Sequence, residues 1–292
     1  MTQVMTQVHT ATIIDGRAIA ERIKRELLSE IQSFGRERPR LAILSFDTPT
    51  SQLYLGAQLK QAKVLGIAAD VEFRFPWDVT QKEVEHAVVG LNQGQMHGIF
   101  VHQPMPPQID PQRISALIDP RKDIEGIHPQ NMARRFFAKS RIGSCTALAV
   151  MELIESTGVN VEGKDAVVVG HSEIVGRPVS MLLLDKLATT TVCHVATKHL
   201  TDHVRRAEVL IVAVGKPHLI QGEWIKPGAV VIDVGINVVG GRVVGDVEFE
   251  AAKQRAAFIS PVPGGVGPVT VMMVMKNTVE AFKLQTGNRA RA

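Results

Sequence analysis

The sequence predicts an α/β protein of two domains, the second of which is built on a parallel sheet. The chain has 292 residues, which is long for a single hydrophobic core. Short apolar runs alternate with helical segments most regularly between residues 166 and 234. A glycine-rich stretch at 167–178, VVVGHSEIVGRP, joins one such run to the helix after it. Together these features indicate repeated βαβ units with right-handed crossovers.

The first half of the chain alternates helices and strands. Isoleucine and leucine at four-residue spacing predict an amphipathic helix from Arg17 to Phe34. The further predicted elements are strands at 41–46, 70–75 and 97–106, a helix ending at Gly66, a helix at 81–91 capped by Thr80, and a helix at 113–118. His102 and Gln103 end the third strand in a proline-rich loop, so we expect them at the carboxyl edge of the sheet, where ligands bind.

The second half repeats the βαβ pattern. The predicted strands are 166–169, 190–194, 209–214 and 229–234, and the predicted helices are 147–157, 179–187, 200–206 and 271–282. Between them, the charged segment 119–128 and the segment 260–270 are predicted loops. Several strands end in glycine, which allows a ligand to approach the backbone closely.

Composition excludes several classes of protein. Hydrophobic residues make up 45% and charged residues 21%, and the net charge is +4. The lysines and arginines are dispersed and rarely flanked by aromatic residues, which favours a small anionic ligand over nucleic acid. Cys145 and Cys193 lack disulfide or zinc spacing, so we expect no metal site and a reducing cytosolic compartment. No long apolar run predicts a membrane span, and the N-terminus lacks the features of a signal peptide.

The glycine-rich stretch 167–178 does not by itself decide between two interpretations. Its spacing differs from GxGxxG because Ser172 holds the place of the second glycine and the last glycine is Gly176. It is not a nucleophile elbow, since Ile174 stands where GxSxG needs glycine. The stretch is either a phosphate-binding turn at a helix N-terminus or an ordinary strand-to-helix turn.

Nine motifs together resemble the bifunctional methylenetetrahydrofolate dehydrogenase/cyclohydrolase family along almost the whole chain. They are SQLYLGAQLK at 51–60, GIFVHQPMP at 98–106, KDIEGIHPQN at 122–131, SCTA at 144–147, VVVGHSEIVGRP at 167–178, AVGKP at 213–217, IDVGIN at 232–237, GDV at 245–247 and PVPGGVGPVT at 261–270. The combination is specific, although no single motif is.

The resemblance implies an N-terminal α/β folate domain and a C-terminal Rossmann-like dinucleotide domain, with the active cleft between them. The expected division is 1–142 plus 271–292, to which the last helix returns, and 143–270. The family oxidises methylene-tetrahydrofolate by hydride transfer to a nicotinamide cofactor, and many members then hydrolyse the methenyl product. The family's members are commonly homodimers, and we expect the same here.

The resemblance also assigns site residues. Tyr54 matches the family's pterin-side tyrosine, and the loop 261–268 matches the wall near folate and nicotinamide. On this basis the expected substrate-binding residues are Tyr54, Gln103, Glu125, Pro263, Gly264 and Gly265. The expected cofactor-binding residues are Gly170, His171, Ser172, Ile174, Gly176, Arg177, Pro178 and Ile236.

The sequence departs from the family pattern at the reactive centre, where the expected catalytic residues are Tyr54, Gln58, His102 and Glu125. Gln58 replaces the lysine that the cyclohydrolase step uses, and Lys60 lies about 200° further round a helix. His102 replaces a glutamine, and Glu125 replaces the aspartate that binds the pterin amino groups. Glutamine has no titratable proton, so we expect weak or absent cyclohydrolase activity. His102 is either a substitute acid or base or simply a hydrogen-bonded residue at a strand end.

Cofactor choice is open at the sequence level. The family often has an arginine after Gly170 and a serine after the histidine that ends the next strand, both of which meet the 2′-phosphate of NADP. This chain has His171 and Val195, although Lys198 or a protonated His171 can substitute. NADP is expected, with NAD as the alternative. Two other interpretations are a related enzyme acting on another pterin and a non-catalytic folate- or nucleotide-binding paralogue.

Overall fold

The computed structural model describes residues 10–137 and 141–287. Its strands are β1 (Thr12–Ile13), β2 (Arg40–Phe46), β3 (Ala68–Phe75), β4 (Gly98–Val101), β5 (Asp165–Val169), β6 (Thr189–Cys193), β7 (Val209–Val212), β8 (Val230–Asp233), β9 (Asn237–Val239), β10 (Arg242–Val244) and β11 (Phe258–Ile259). Its helices are α1 (Gly16–Ser33), α2 (Pro49–Leu65), α3 (Gln81–Gln93), α4 (Pro111–Leu117), α5 (Pro129–Phe136), α6 (Cys145–Ser156), α7 (Gly176–Asp185), α8 (Leu200–Arg206), α9 (Phe249–Lys253) and α10 (Val266–Thr286), with a 3₁₀ turn at Gly222–Trp224. The α/β class is confirmed.

Contacts divide the chain into two units. Of the described residues, those up to Ile19 and those of Thr146–Val269 belong to the six-stranded unit. The described residues of Ala20–Cys145 and those from Thr270 to Gly287 belong to the three-stranded unit. The N-terminal end of this division differs from the predicted one, because β1 pairs with β11 and so joins the six-stranded sheet.

The six-stranded unit has the expected parallel sheet. Its strand order is β1-β11-β8-β7-β5-β6, and every neighbouring pair in it is parallel. The central strands β5, β7 and β8 are almost wholly buried, which explains why they read as continuous apolar runs. The carboxyl ends of β5 to β8 therefore lie along one edge, the usual ligand-binding edge of such a sheet.

The three-stranded unit is a parallel sheet with the order β3-β2-β4. A backbone bridge from Ile99 to Asp123 adds the segment after α4 alongside β4. The last helix belongs to this unit from Thr270 onward. Lys283 is ion-paired with Glu30 at 2.7 Å, and the Phe282 and Phe34 ring centroids are 5.0 Å apart. The expected return of the last helix to the first domain is confirmed.

Several local elements differ from the sequence prediction. The last helix begins at Val266, not Val271, because Pro268 fits a first helical turn, where no backbone N–H is needed. Helix α5 and the β9–β10 hairpin were not predicted from the sequence. The hairpin turns at Gly240 and Gly241, both with positive φ.

Candidate functional site

Helix α2 positions the first two predicted site residues, Tyr54 and Gln58, in the three-stranded unit. The Thr48 side chain accepts a hydrogen bond from the Ser51 N–H at its start, and Gly66 ends it in the left-handed conformation. Gln58 is only 2% exposed, whereas Lys60 on the same helix is exposed. Tyr54, one turn earlier, is half-buried, and burial raises its pKa above the ordinary value. Gln58 therefore occupies the buried position, and Lys60 does not share it.

His102 lies in contact with Gln58. The His102 backbone N–H donates to the Leu44 carbonyl at 2.8 Å, which fixes the residue at the end of β4. Its Nε2 is 2.8 Å from the Gln58 Oε1, and its ring meets Phe100 edge-on. Because the amide oxygen accepts, this contact requires the proton to be on Nε2. Burial lowers the pKa of His102 to about 4, so the imidazole is neutral at physiological pH.

Glu125 lies on the segment 122–125, which runs beside β4, the strand that His102 follows. The Ile99 N–H donates to the Lys122 carbonyl at 2.8 Å, which aligns residues 122–125 beside β4. Burial, and to a lesser extent the nearby Asp123, raises the pKa of Glu125 to about 8, while a hydrogen bond from the Val101 backbone opposes the shift. The carboxyl is therefore mostly protonated at pH 7.

Two further residues, Lys122 and Asp123, organise this loop and were not predicted from the sequence. Asp123 accepts hydrogen bonds from the backbone N–H groups of Glu125 and His128 and from the Asn131 amide, at 3.2, 2.8 and 2.9 Å. The Lys122 ammonium donates to three carbonyls at the end of α3. The density of charged residues in KDIEGIHPQN was the sequence feature that could have indicated the role of these two residues. Gln103, the next residue after His102, is half-buried and joined to Pro104 by a cis peptide bond.

The glycine-rich stretch forms a tight turn from β5 into α7 in the six-stranded unit. Gly170 has a φ of 122°, and a Cβ there would lie 2.2 Å from the Ala213 carbonyl oxygen. A Cβ at Gly176 would lie 2.1 Å from the Gly170 carbonyl oxygen. The Ser172 hydroxyl accepts from the N–H groups of Val175, at 3.2 Å, and Gly176, at 3.5 Å. Both glycines are therefore required by the turn itself.

The side chains of this turn face solvent. His171, Ser172 and Ile174 are exposed. Arg177 is also exposed and ion-paired with Glu173 at 3.4 Å, and Pro178 lies in the first turn of α7. Exposed polar groups over a helix N-terminus at the carboxyl end of a parallel strand fit the phosphates of a dinucleotide.

Two buried aspartates fix the loops that follow the neighbouring strands β7 and β8. Asp233 accepts from the N–H groups of Gly235, Asp246 and Val247 at 2.9 to 3.0 Å. Asp246 in turn accepts from the N–H groups of Val214 and Gly215 at 2.7 and 2.9 Å. Burial raises the pKa of Asp233 to about 6. These bonds fix the loop that carries Ile236, whose side chain is 49% exposed. In the sequence, these two aspartates stand out only as members of the family motifs IDVGIN and GDV.

Pro263, Gly264 and Gly265 also belong to the six-stranded unit. Gly264 has a φ of 107°, and the Gly265 N–H donates to the Pro261 carbonyl at 2.9 Å. A Cβ on Gly16 would lie 1.8 Å from the Gly265 carbonyl oxygen, so Gly16 must be glycine for this close approach. The predicted site residues thus form two groups, one in each unit.

The fold and the glycine-rich turn define the class of protein: an α/β protein with a dinucleotide-binding unit of the Rossmann type. Among the described residues, no group of three or more His, Cys, Asp or Glu side chains is arranged to hold a metal ion. Within the same part of the chain, every helix is too short or too polar to cross a membrane.

Comparisons with known proteins identify the family. Residues 144–286 match the model "Tetrahydrofolate dehydrogenase/cyclohydrolase, NAD(P)-binding domain", and residues 14–125 match the corresponding "catalytic domain". The chain therefore belongs to the tetrahydrofolate dehydrogenase/cyclohydrolase family, as the motifs implied. It is an NAD(P)-dependent dehydrogenase with a tetrahydrofolate as its substrate.

Individual relatives agree over nearly full length. The chain is 46% identical over 277 residues to the "Bifunctional protein FolD" of Halothermothrix orenii, covering 93% of this chain and 98% of that protein. It is 45% identical over 285 residues to "Bifunctional protein FolD 2" of Geobacter sulfurreducens, covering 96% and 100%. The Trypanosoma brucei methylenetetrahydrofolate dehydrogenase-cyclohydrolase, solved with NADP cofactor and inhibitor, superposes with a TM-score of 0.91 at 41% identity, covering 97% and 99%.

Proposed function

We propose that this enzyme oxidises methylene-tetrahydrofolate to methenyl-tetrahydrofolate and hydrolyses the methenyl product weakly or not at all. The proposed electron acceptor is NADP, with NAD as the alternative. The observation that carries the proposal is the buried, uncharged contact between Gln58 and His102. Relatives of this chain are named as bifunctional, so the loss of one activity is a specific departure from them.

The dehydrogenase step does not require a titratable group. A hydride leaves the methylene carbon, and the product is a cation, so no proton is transferred. The nicotinamide cofactor, when bound, supplies the hydride acceptor. The chain's own residues have to position the ring system and surround the cation that forms. Tyr54 offers an aromatic face for the pterin, and Gln58 and His102 offer dipoles without a repelling positive charge.

The hydrolytic step does require proton transfer. Water must lose a proton as it adds to the methenyl carbon, and a ring nitrogen must gain one as the ring opens. Gln58 cannot exchange a proton at any physiological pH. His102, with a pKa of about 4, is a weak base at pH 7, and its Nε2 is already held by Gln58. The site therefore lacks an effective base where the family has its lysine.

Glu125 suits pterin binding in this proposal. Its carboxyl is held beside β4 by the loop that Asp123 organises. A carboxyl oxygen accepts hydrogen bonds from the pterin amino groups in either protonation state, and more strongly when ionised. Gln103, Pro263, Gly264 and Gly265 remain proposed substrate contacts. The proposed cofactor contacts remain Gly170, His171, Ser172, Ile174, Gly176, Arg177, Pro178 and Ile236.

The test compares hydrolysis of methenyl-tetrahydrofolate by the wild type and by Gln58→Lys. Wild-type hydrolysis should lie at or only slightly above the buffer rate, and the variant should hydrolyse faster than the wild type. Ala57→Lys is the matched control because it adds a lysine at an exposed position of the same helix, and it should gain nothing. Wild-type hydrolysis well above the buffer rate would refute the proposal, as would a Gln58→Lys variant that gains nothing.

The alternative is a fully bifunctional enzyme that uses His102. The contact of His102 with Gln58 favours this alternative, because the contact places an imidazole beside the position where the family has its lysine. In that case His102→Gln would abolish hydrolysis while leaving most hydride transfer.

We further infer a homodimer in the cytosol. Support for the dimer comes from exposed valines on the β9–β10 hairpin, Val238, Val239 and Val243. Support for a reducing compartment comes from the free, buried thiols of Cys145 and Cys193. Light scattering on the purified protein tests the dimer, and a monomer mass at micromolar concentration would contradict it.

A further inference from the structure

The amide of Asn277, on α10, joins two chain segments next to Glu125. Asn277 is only 1% exposed, and it belongs with both segments to the three-stranded unit. Its Nδ2 donates to the Ile124 carbonyl at 2.7 Å and to the Gly143 carbonyl at 2.8 Å. An amide nitrogen carries two hydrogens, so these two carbonyls use both of them. One point on the helix thus holds the segments that contain Ile124 and Gly143.

The bond to Ile124 acts on the peptide unit that leads into Glu125. The Ile124 carbonyl and the Glu125 N–H belong to the same planar group. Asn277 holds the carbonyl, and the Asp123 carboxylate accepts from the N–H at 3.2 Å. Because both polar groups of this plane are held by side chains, the plane cannot rotate without breaking a hydrogen bond. The backbone from which the Glu125 side chain leaves is therefore fixed on its N-terminal side.

The bond to Gly143 acts on the other side of Glu125. Gly126 has a φ of 66°, and a Cβ there would lie 2.8 Å from the Gly143 Cα. The turn after Glu125 therefore packs directly against the Gly143 backbone, and only glycine allows this approach. Since Asn277 also holds the Gly143 carbonyl, the same amide fixes the backbone on which the turn packs.

Neighbouring polar side chains contribute less to this arrangement. The Cys145 Sγ lies 3.4 Å from the Ile124 carbonyl oxygen, but a thiol is a weak donor, so the Asn277 amide is the stronger partner. Thr278, the next residue of α10, is just as buried, and its hydroxyl donates to the Val274 carbonyl of the same helix at 2.8 Å. Of these two adjacent buried polar residues, Asn277 is the one that bonds to the segment of Ile124.

We propose that Asn277 is a positioning residue for Glu125 and, through that carboxyl, sets the affinity of the enzyme for the pterin of its substrate. The inference rests on the proposed function, in which Glu125 accepts hydrogen bonds from the pterin amino groups. Without the amide, two buried carbonyls lose their partner, which favours separation of the two segments or entry of water between them. The carboxyl then moves with its backbone, and a misplacement of about 1 Å in a positioned site can cost a factor of about a hundred.

The test is calorimetric binding of tetrahydrofolate, kept under nitrogen, and of NADP to the wild type and to Asn277→Ala. The stoichiometry counts the folded protein, whereas Kd reports the site, so the measurement separates a loss of folding from a misplaced carboxyl. The Kd for tetrahydrofolate should rise at least about fivefold, and the Kd for NADP should stay within about twofold, because the glycine-rich turn lies in the other unit. A smaller rise for tetrahydrofolate, or an equal rise for both ligands, would overturn the proposal.

A double-mutant cycle shows whether Asn277 acts through Glu125. Glu125→Ala should raise the Kd for tetrahydrofolate at least about tenfold, because it removes a charged hydrogen-bond acceptor. Adding Asn277→Ala to Glu125→Ala should raise it by less than about twofold further, since no carboxyl is left to misplace. Additive effects would show that Asn277 supports binding by another route and would refute the positioning role, as would wild-type affinity in Glu125→Ala.

Two further variants separate the amide from the helix that carries it. Asn277→Asp keeps the shape of the side chain and, when protonated, one of its two donors, so it tests the proposal even if Asn277→Ala does not fold. It should raise the Kd for tetrahydrofolate at least about threefold, and wild-type affinity would overturn the proposal. Thr278→Val removes a buried hydroxyl from the same helix and should leave both Kd values within about twofold of the wild type. Equal weakening of tetrahydrofolate binding by Thr278→Val and Asn277→Ala would assign the effect to the helix as a whole and refute the positioning role.

Turnover distinguishes this inference from the proposed function. Tetrahydrofolate binding with the predicted coupling of Asn277 to Glu125, but no reduction of NADP by methylene-tetrahydrofolate, would refute the dehydrogenase and leave the positioning role standing. Reduction of NADP by an enzyme whose affinity for tetrahydrofolate does not respond to Asn277→Ala or Asn277→Asp would do the reverse.

Discussion

The neutrality of His102 can be measured directly, because it makes protein stability depend on pH. The histidine pKa falls from about 6.5 in an unfolded chain to about 4 in the fold. Between these values the unfolded chain binds the proton and the fold does not. Acidification therefore destabilises the fold, and this loss begins as pH drops below about 6.5 and is complete below about 4.

The size of the effect follows from the two pKa values. At pH 7 the cost is negligible, at pH 5 it is about 2 kcal/mol, and below pH 4 it approaches about 3 kcal/mol. His102→Gln removes this titration and retains an amide that can hydrogen-bond to Gln58. The stability difference between the wild type and this variant should therefore change by about 2 kcal/mol between pH 7 and pH 5, with the wild type losing more.

Denaturant unfolding of both proteins at the two pH values measures this difference, and other titrating groups cancel in the comparison. Histidine NMR provides a second readout, in which the resonance missing from the His102→Gln spectrum should stay neutral down to pH 5. A midpoint for that resonance above pH 6, or equal pH dependence of both proteins, would refute a neutral His102 and with it the argument against hydrolysis.

Three further predictions concern other parts of the site. The kcat/KM for methylene-tetrahydrofolate should rise with pH through about 8 as the Glu125 carboxyl ionises, and Glu125→Gln should abolish that rise. An unchanged pH profile in the variant would contradict the assignment of this ionisation to Glu125. Asp246→Ala removes the acceptor of two backbone N–H groups and should lower the free energy of unfolding by about 3 kcal/mol, whereas a loss below about 1 kcal/mol would show that the strand ends do not depend on it. Gly176→Ala should abolish NADP binding or folding, because the added Cβ would collide with backbone atoms. The control Gly90→Ala, on an open helical face, should raise the free energy of unfolding by up to about 1 kcal/mol. Normal NADP binding by Gly176→Ala would contradict the turn geometry.

Most of the fold follows from the periodicity of the sequence. The buried strands of the six-stranded unit are short apolar runs, and the amphipathic spacing in α1 gives its extent to within a residue. Helix α8 has the predicted bounds. Helix α5 was missed because it lies in a charged, weakly apolar segment and is fixed by the bond from Asn131 to Asp123, which is a tertiary contact.

The candidate site was predictable as a set of residues but not as a geometry. Gln58 and His102 are 44 positions apart, so their contact depends on how α2 lies against β4. The buried aspartates 233 and 246 act on backbone groups of loops that precede and follow them. The amide of Asn277 and the two carbonyls that it holds are 153 and 134 positions apart in the sequence. Sequence spacing carries none of these distances.

The central claim is that hydride transfer survives in this enzyme without hydrolysis. It is tested most directly by following reduced cofactor and methenyl-tetrahydrofolate together in one reaction started with methylene-tetrahydrofolate and NADP, with NAD in parallel. Our account predicts that one methenyl-tetrahydrofolate accumulates for each cofactor reduced and then decays at the buffer rate. Methenyl-tetrahydrofolate that stays well below the reduced cofactor from the start would show an active cyclohydrolase and contradict the account.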